Sequence, residues 1–517
     1  MTRMTSIYPE MRSDRLRAIH VLEPMLEFRY GQRMVYPRDG LFLFGPGDGG
    51  RAPINFGVIG TPAGVARFRQ WMGSVGNVID AANDDPQHVP FPGYGAAFAS
   101  AWPDKPRHII DSIDPAAVSR ALRLENRNEA IKSTVDLYVD PLVAAADRLE
   151  APPNFWFVVI PEEIYKLGRP QSSVPKADRI RGSVKLSKSA ARDLMLEPTF
   201  FPEDLEAAEI YQYATHFRRQ LKARLLRDRI VTQIVRETTL APNDFLNKIG
   251  KPLRRLEDPA TIAWKILTGA YYKDGGRPWQ LADVRPGVCY VGLAYKRQDN
   301  SSDDRFACCA AQMFLSSGEG VVFRGALGPW FHSESKQFHL SEDAASSLVE
   351  MVIGEYQQMH DGQPPAELFI HAKSSFADPE WKGFKAAAPG TNVVGVQISD
   401  AKDRMKLYRP GRYPVIRGTA LILHERRAFL WTSGFAPRLD TSQGPETPNP
   451  IEVRIHRGDC ELETVLGDVM GLTKINFNSC LHNDRLPVTI RFADAVGDVI
   501  LAAPRTGEPK LPFKYYI

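Results

Sequence analysis

Two α/β units joined in one chain are what this sequence predicts, on three observations. Its 517 residues exceed what one ordinary core accommodates, so two or three domains are expected. From Phe155 onward short apolar runs alternate with amphipathic stretches, beginning with FWFVVI, the pattern of strands joined by crossover helices. Residues 286–517 then read β-β-β-α-β-α-β. The strands are CYVGLAYKR (289–297), FACCAAQMFLSS (306–317), GVVFRGAL (320–327), ELFIHA (367–372) and NVVGVQIS (392–399), with helices at 341–359 and near 380–388.

That order is how ribonuclease H-like folds are built. Their two-metal chemistry needs carboxylates projecting from the first and fourth strands, to bridge ions about 4 Å apart. Here those places are read as Ala294 and Ala372, and a methyl group cannot bind a hard divalent cation. The expectation is a protein that holds nucleic acid without cutting it.

Composition narrows the class further. A chain 43% hydrophobic and 24% charged is globular, not disordered. A net charge of +4 is small for this size, so any nucleic-acid surface must come from local clustering of the 65 lysines and arginines. The five cysteines show no C-x-x-C spacing and read as reduced residues of a cytoplasmic protein. The opening MTRMTSIYPEMRSD has no apolar run resembling a signal peptide, and FWFVVI is strand length, far short of a membrane span.

Along the first 150 residues we expect strands at 40–44 and 54–59, a helix at 64–71, an extended RHIIDSI and a helix near 128–149. After FWFVVI, closed by Pro161, a helix starts at Glu162-Glu163 and a polar loop runs through 173–189. A helix at 205–228 and the strand IVTQIVR (230–236) follow. The next helix has Asp258 as N-cap, Pro259 at its first position and Gly275-Gly276 at its end. A boundary is expected near 283–287. The hairpin 419–424/428–432 and the loop TSQGPETPNP read as surface excursions from the last unit.

Two motifs need weighing. GPGDGG (45–50) fits G-x-G-x-x-G, but Arg-Ala-Pro and a strand follow where a dinucleotide site needs a helix N-terminus, so it reads as a connecting loop. HFRRQLKARLLRDR (216–229) puts Leu221, Leu225 and Leu226 on a buried stripe, with Arg218 and Lys222 four apart on one face. A charge run on a helix is ordinarily a solvated face. Gln233, mid-strand, and Lys265, within TIAWKILTGAYY, are polar groups in apolar settings that need partners. From consecutive elements the three groups can converge on one anion, as a terminal phosphate requires.

The run of Lys222, then TQ ending at Gln233, then AWK ending at Lys265, resembles the guide 5′-phosphate pocket in the MID domain of Argonaute proteins. YYKDGGRPWQL and CYVGLAYKR resemble the passage from MID to PIWI. EFRYGQRMVYPRDGLFLFGP and FVVIPEEIYKLGRP also look like prokaryotic Argonautes. With no room for N and PAZ domains, the chain is similar to the short prokaryotic class. The resemblance implies a Rossmann-like MID domain (151–285) after an N-terminal segment (1–150), and a ribonuclease H-like PIWI domain (286–517).

It further implies that Lys222, Gln233 and Lys265 bind the guide phosphate. Arg218 would stand at the first-base stacking position, with His216 as the alternative. The carboxylate of Ile517 would join the site with a Mg²⁺ ion. Of the family's catalytic tetrad, Ala294 and Ala372 replace two aspartates and Asp494 corresponds to the last position, while no glutamate can be assigned, so no cleavage is expected. Implied partners are a guide RNA (or DNA), a complementary single-stranded DNA target and an APAZ-domain effector (TIR, sirtuin-like or nuclease) in antiviral defence. Two rivals remain open on the sequence. One is a metal-dependent endonuclease drawing carboxylates from Asp299, Asp303 or Asp304. The other is a guide-independent nucleic-acid-binding subunit.

Overall fold

In the computed structural model the described residues are 16–50, 52–85, 87–196, 202–297, 307–315, 320–401, 404–442, 447–504 and 510–517. Asp299, Asp303 and Asp304 lie outside them. Two sheets organise the chain. The smaller is parallel throughout, in the order β3-β2-β4-β5, from β2 (Phe56–Ile59), β3 (His108–Ile110), β4 (Phe155–Ile160) and β5 (Thr232–Arg236). Both β2 and β4 are buried at every position, which is why they read as unbroken apolar runs and not as alternating ones.

Helices cover both faces. Helix α2 (Pro62–Val75) is capped by the Thr61 hydroxyl. Helix α3 (Arg127–Arg148) is capped by Asn126, which accepts from Asn128 and Glu129. Glu162–Leu167 form α4, and α5 (Phe217–Leu225) precedes β5. In α6 (Pro259–Lys273) the expected start is present, Asp258 accepting from Thr261 N at 2.9 Å, and Gly275 takes φ +99° just past the end.

The larger sheet has ten strands among the described residues. Toward one edge lie β6 (Val288–Arg297), β7 (Ala307–Phe314) and β8 (Gly320–Gly328), an antiparallel meander. Strands β9 (Glu367–Ala372) and β10 (Asn392–Asp400) run parallel beside β6. Helices α7 (Glu342–Met359) and α8 (Asp378–Ala386) cover one face, and α9 (Val488–Ile500) packs on the other, against β6 and β7. The full order is β1-β11-β12-β13-β10-β9-β6-β7-β8-β14. Here β1 is Arg17–His20, β11 Thr419–His424, β12 Arg427–Leu430, β13 Ile451–Arg457 and β14 Lys510–Pro512. A single core of buried residues runs from the small sheet (Phe56, Phe157, Trp264) into the large one (Tyr290, Val396, Ile490).

Several expectations need correction. Residues 37–44 form helix α1, not a strand at 40–44. Pro37 at the first helical position sets the required φ, and a five-residue apolar run fits either period. The helix expected over 205–228 is two helices, 202–209 and α5. A turn at 210–216 separates them, fixed by Phe217 N donating to Gly168 O and the Phe217 ring meeting Tyr138 edge-on. The 419–430 hairpin is no surface excursion: β11 and β12 lie inside the large sheet between β1 and β13. A division at residue 150 would separate β2 and β3 from their sheet partners β4 and β5. Among the described residues no helix is long and apolar enough to cross a membrane.

Gly292 lets α9 lie directly on β6. A Cβ there would sit 2.0 Å from the Thr489 carbonyl oxygen, a backbone atom that cannot swing away. Gly292→Ala should therefore destabilise the protein by about 1–3 kcal/mol through overpacking, read as a lowered midpoint in thermal unfolding; an unchanged midpoint would show that α9 is free to shift.

Candidate functional site

Helix α5 buries Phe217, Leu221 and Leu225 against α3 and β4. Lys222, next to Leu221, is thereby turned toward the start of β5. Its Nζ donates to Thr232 O at 3.0 Å and to the main-chain oxygen of Ile517 at 2.5 Å, with Thr232 Oγ1 at 3.4 Å. Ile517 arrives there because β14 pairs with the edge of β8 and a 3₁₀ turn over Phe513–Tyr515 then carries the chain into the core. Phe513 meets Phe314 and Phe492 edge-on, so this segment is both a packed edge strand and a wall of the site.

From the next element, Lys273 closes α6 and donates its Nζ to Gln233 Oε1 on β5. Lys222 and Lys273 are each almost fully buried. Burial, then the neighbouring charges of Lys273 and Arg218, hold Lys222 well below its ordinary 10.5. Burial and then Arg218 act likewise on Lys273. Arg218 lies exposed at the rim, one helical turn from Lys222, and has no carboxylate partner among the described residues. His216 stands at the N-cap position of the same helix without a side-chain capping bond; burial, then Arg219, Arg218 and Arg169, push it down to about 4, so it is neutral near pH 7. Its Nδ1 and Gln220 Oε1 are buried without hydrogen-bond partners among the described residues.

The structure thus gathers Arg218, Lys222, Gln233 and Ile517, but not Lys265. That lysine pairs with Glu257 at 2.6 and 2.7 Å, two helical turns, roughly 12 Å, before Lys273. Lys273 takes the place expected for it. The missed signal was the YYK that ends the helix, easily taken for a lysine that merely complements the helix dipole. The set suits an anion. It does not by itself fit Mg²⁺, because Ile517 O, Thr232 O and Gln233 Oε1 already accept from ammonium groups and, among the described residues, no carboxylate side chain joins them.

A second locus lies at the far ends of β6 and β9. A cavity of about 270 Å³ is lined by Ala294, Lys336, Lys373 and Asp494, among others. Asp494, on α9, pairs with Lys373 and lies 3.5 Å from Lys296 Nζ. Burial pushes its carboxyl up, but the hydrogen bond from Lys373 and the charge of Lys296 outweigh that and hold it below 3.8. Lys296 also reaches Asp498 at 3.3 Å, and Asp498 pairs with Arg219 of α5 at 2.6 Å. A continuous chain of alternating charges therefore joins this cavity to the helix that carries Lys222.

Ala372 does not share the cavity with Ala294. Side chains alternate along a strand, and the register His371↔Gly292 sets Ala372 level with Leu293. Both pack in the core beneath α7 and α8. His371, on the α9 face, donates to or accepts from Thr489 Oγ1 at 2.9 Å, and burial pushes it down to about 3. The residue that β9 delivers to the cavity is Lys373. Among the described residues no three His, Cys, Asp or Glu side chains come together as a metal site.

No family model matches the chain, and no curated protein matches it. Solved structures do. Clostridium butyricum Argonaute bound to a guide DNA and a 19-mer target DNA superposes with TM-score 0.58 at 15% identity, over 98% of this chain and 56% of that one. A. aeolicus Argonaute gives 0.52 at 13% identity, over 95% and 54%, and its complex with externally bound siRNA gives 0.54 at 13%, over 98% and 56%. The chain spans a little over half the length of these proteins.

The buried lysines carry a pH signature. Their folded values lie below the ordinary 10.5, so between the two the unfolded chain binds more protons and stability rises with pH. A bound phosphate favours the charged ammonium, so phosphate affinity should fall across the same window. Parallel thermal-shift and binding titrations test both signs, and Lys273→Met should flatten both slopes. From its fold, the chain is Argonaute-like.

Proposed function

We propose that the chain is a guide-loading subunit of the short Argonaute type, which recognises complementary nucleic acid without cleaving it. In this reading the four-stranded sheet and its helices form a MID domain, and the ten-stranded sheet forms a ribonuclease H-like PIWI domain. One observation carries it: two buried lysines and a rim arginine crowd together with no carboxylate side-chain partner among the described residues. The lysines' hydrogen bonds go to the Thr232 and Ile517 main-chain oxygens, the Thr232 hydroxyl and Gln233 Oε1, and an anionic ligand would offset the remaining cost of burying these ammonium groups. A strand's 5′-phosphate is such a ligand. Lys222 and Lys273 would grip its oxygens, Gln233 would orient Lys273, and Arg218 at the rim would stack on the first base or pair with the next phosphate.

Support for a guide, and not for nucleic acid of any kind, comes from the fold shared with an Argonaute that holds a guide DNA and a target DNA. Phosphate contacts would fix the guide, and base pairing would supply specificity. Absence of cleavage is part of the proposal, supported by a cavity whose described lining includes Ala294, Lys336 and Lys373 and only one carboxylate, Asp494, where a two-metal site would need several. The companion effector with an APAZ segment, switched on by target recognition in antiviral defence, completes the reading on resemblance alone.

The decisive measurement compares 5′-phosphorylated with 5′-hydroxyl strands. Each charge-assisted contact is worth about 1.5–3 kcal/mol, so Lys222→Ala/Lys273→Ala should lose most of the discrimination, whereas Lys265→Ala should keep it. Equal discrimination in the double variant would place the pocket elsewhere. Incubating guide-loaded protein with labelled complementary target and Mg²⁺ or Mn²⁺ should give no site-specific product; a guide-directed product would show that the chain cuts.

A further inference from the structure

Glu129 is a buried carboxylate in the first turn of α3, and neither locus described above uses it. Its Oε1 accepts from Ser183 N at 2.8 Å and from Ser183 Oγ at 2.7 Å, and its Oε2 from Val184 N at 3.4 Å. Gly182 packs so closely that a Cβ there would stand 1.9 Å from Oε2. On either side Ile180 bridges to Leu124, and Leu186 O accepts from the Tyr211 hydroxyl. Residues 176–188 carry Lys176, Arg179, Arg181, Lys185 and Lys188 against one acid, Asp178. All five cations are exposed, and none has a carboxylate partner among the described residues. A cationic segment thus crosses the N-terminus of α3, whose partial positive charge opposes it. The Glu129 carboxylate offsets that repulsion.

We propose that residues 176–188 form a releasable strap, latched to α3 by Glu129, which lets go when a strand occupies the α5 site; this rests on the guided reading above. The start of α3 also holds the chain that enters α5. Asn126 Nδ2 donates to the Tyr211 hydroxyl at 2.6 Å, and Asn128 Nδ2 to Tyr213 O at 3.1 Å. The strap's root lies just past Gly168, whose carbonyl accepts from Phe217 N at 2.9 Å, next to Arg218. Arg169, at that root, is among the charges that act on His216. Released, the five cations exchange one carboxylate for the several phosphates of the strand. Glu129 is a positioning residue, which sets where those charges stand and touches no ligand itself.

The test follows hydrogen exchange at the Ser183 and Val184 amides of the full chain, with and without a 5′-phosphorylated single strand whose binding is read separately by fluorescence anisotropy. Exchange at these two amides reports the latched fraction. Glu129→Gln should speed it about tenfold with no strand present, the size of one lost charge-assisted bond. Gly182→Ala, which keeps the carboxylate but crowds it, should do the same. Amides of α6 should stay protected in both variants, which separates release from unfolding. In the unmodified chain, bound strand should speed exchange at 183–184; in Glu129→Gln it should add nothing. Glu129→Gln should also bind the strand more tightly, because the latch no longer competes. Unchanged exchange in Glu129→Gln overturns the latch. Bound strand that leaves exchange at 183–184 unchanged in the unmodified chain overturns its release. A strand that does not bind at all sinks the guided reading instead, and the Glu129→Gln comparison still decides whether the carboxylate is the latch.

Discussion

The ammonium of Lys222 is the junction on which the site depends. One buried group ties together α5, the first residue of β5 and the main chain at Ile517, three segments distant in sequence. Each could pack by hydrophobic contact, but only the lysine sets their mutual distance. Its cost is that burial, then the neighbouring Lys273 and Arg218, disfavour its charged form. Native proteins tolerate such charges where a ligand completes them, and strained electrostatics then marks the ligand's place.

The second determinant is steric. Helix α9 lies close enough to β6 that Gly292 and Gly497 have no room for a side chain; a Cβ on Gly497 would meet Lys296. That closeness sets Asp494 at the cavity and Asp498 against Arg219. The same helix therefore borders both loci, and the alternating charges from Lys373 to Arg219 run along its surface. Neither locus can shift by an ångström without disturbing an ion pair of the other.

Much of this was legible in the sequence, because the signals were local. Asp258-Pro259 marked a helix start, FWFVVI a buried strand and the β-β-β-α-β-α-β run a sheet order, each through a few neighbouring residues. Lys222 and Gln233 were singled out through spacing and apolar context, and Ile517 through the family resemblance. What failed depended on distance or on one residue of register. Lys265 and Lys273 share one helix and differ only in which turn faces Gln233, a matter of how α6 docks. The break at 210–216 carries no proline or glycine; Tyr138 and Gly168, far away in sequence, impose it. Ala372 was placed by counting along a strand, where a slip of one reverses the face.

That alternation bears on protein engineering. Restoring acids by the sequence alone would put aspartates at 294 and 372. The first would enter the cavity, but the second would be driven among Leu293, Phe376 and the helices on the opposite side of the sheet. A carboxylate buried there would be destabilising by several kcal/mol. A designer would have to change 294 and 373 together, and doing so would remove the lysine that neutralises Asp494. Three carboxylates would then face one another in place of an ion pair. Around this cavity the charges form a linked arrangement, Lys373 with Asp494 and Lys296 with Asp494 and Asp498, which a change at one position alone would unbalance.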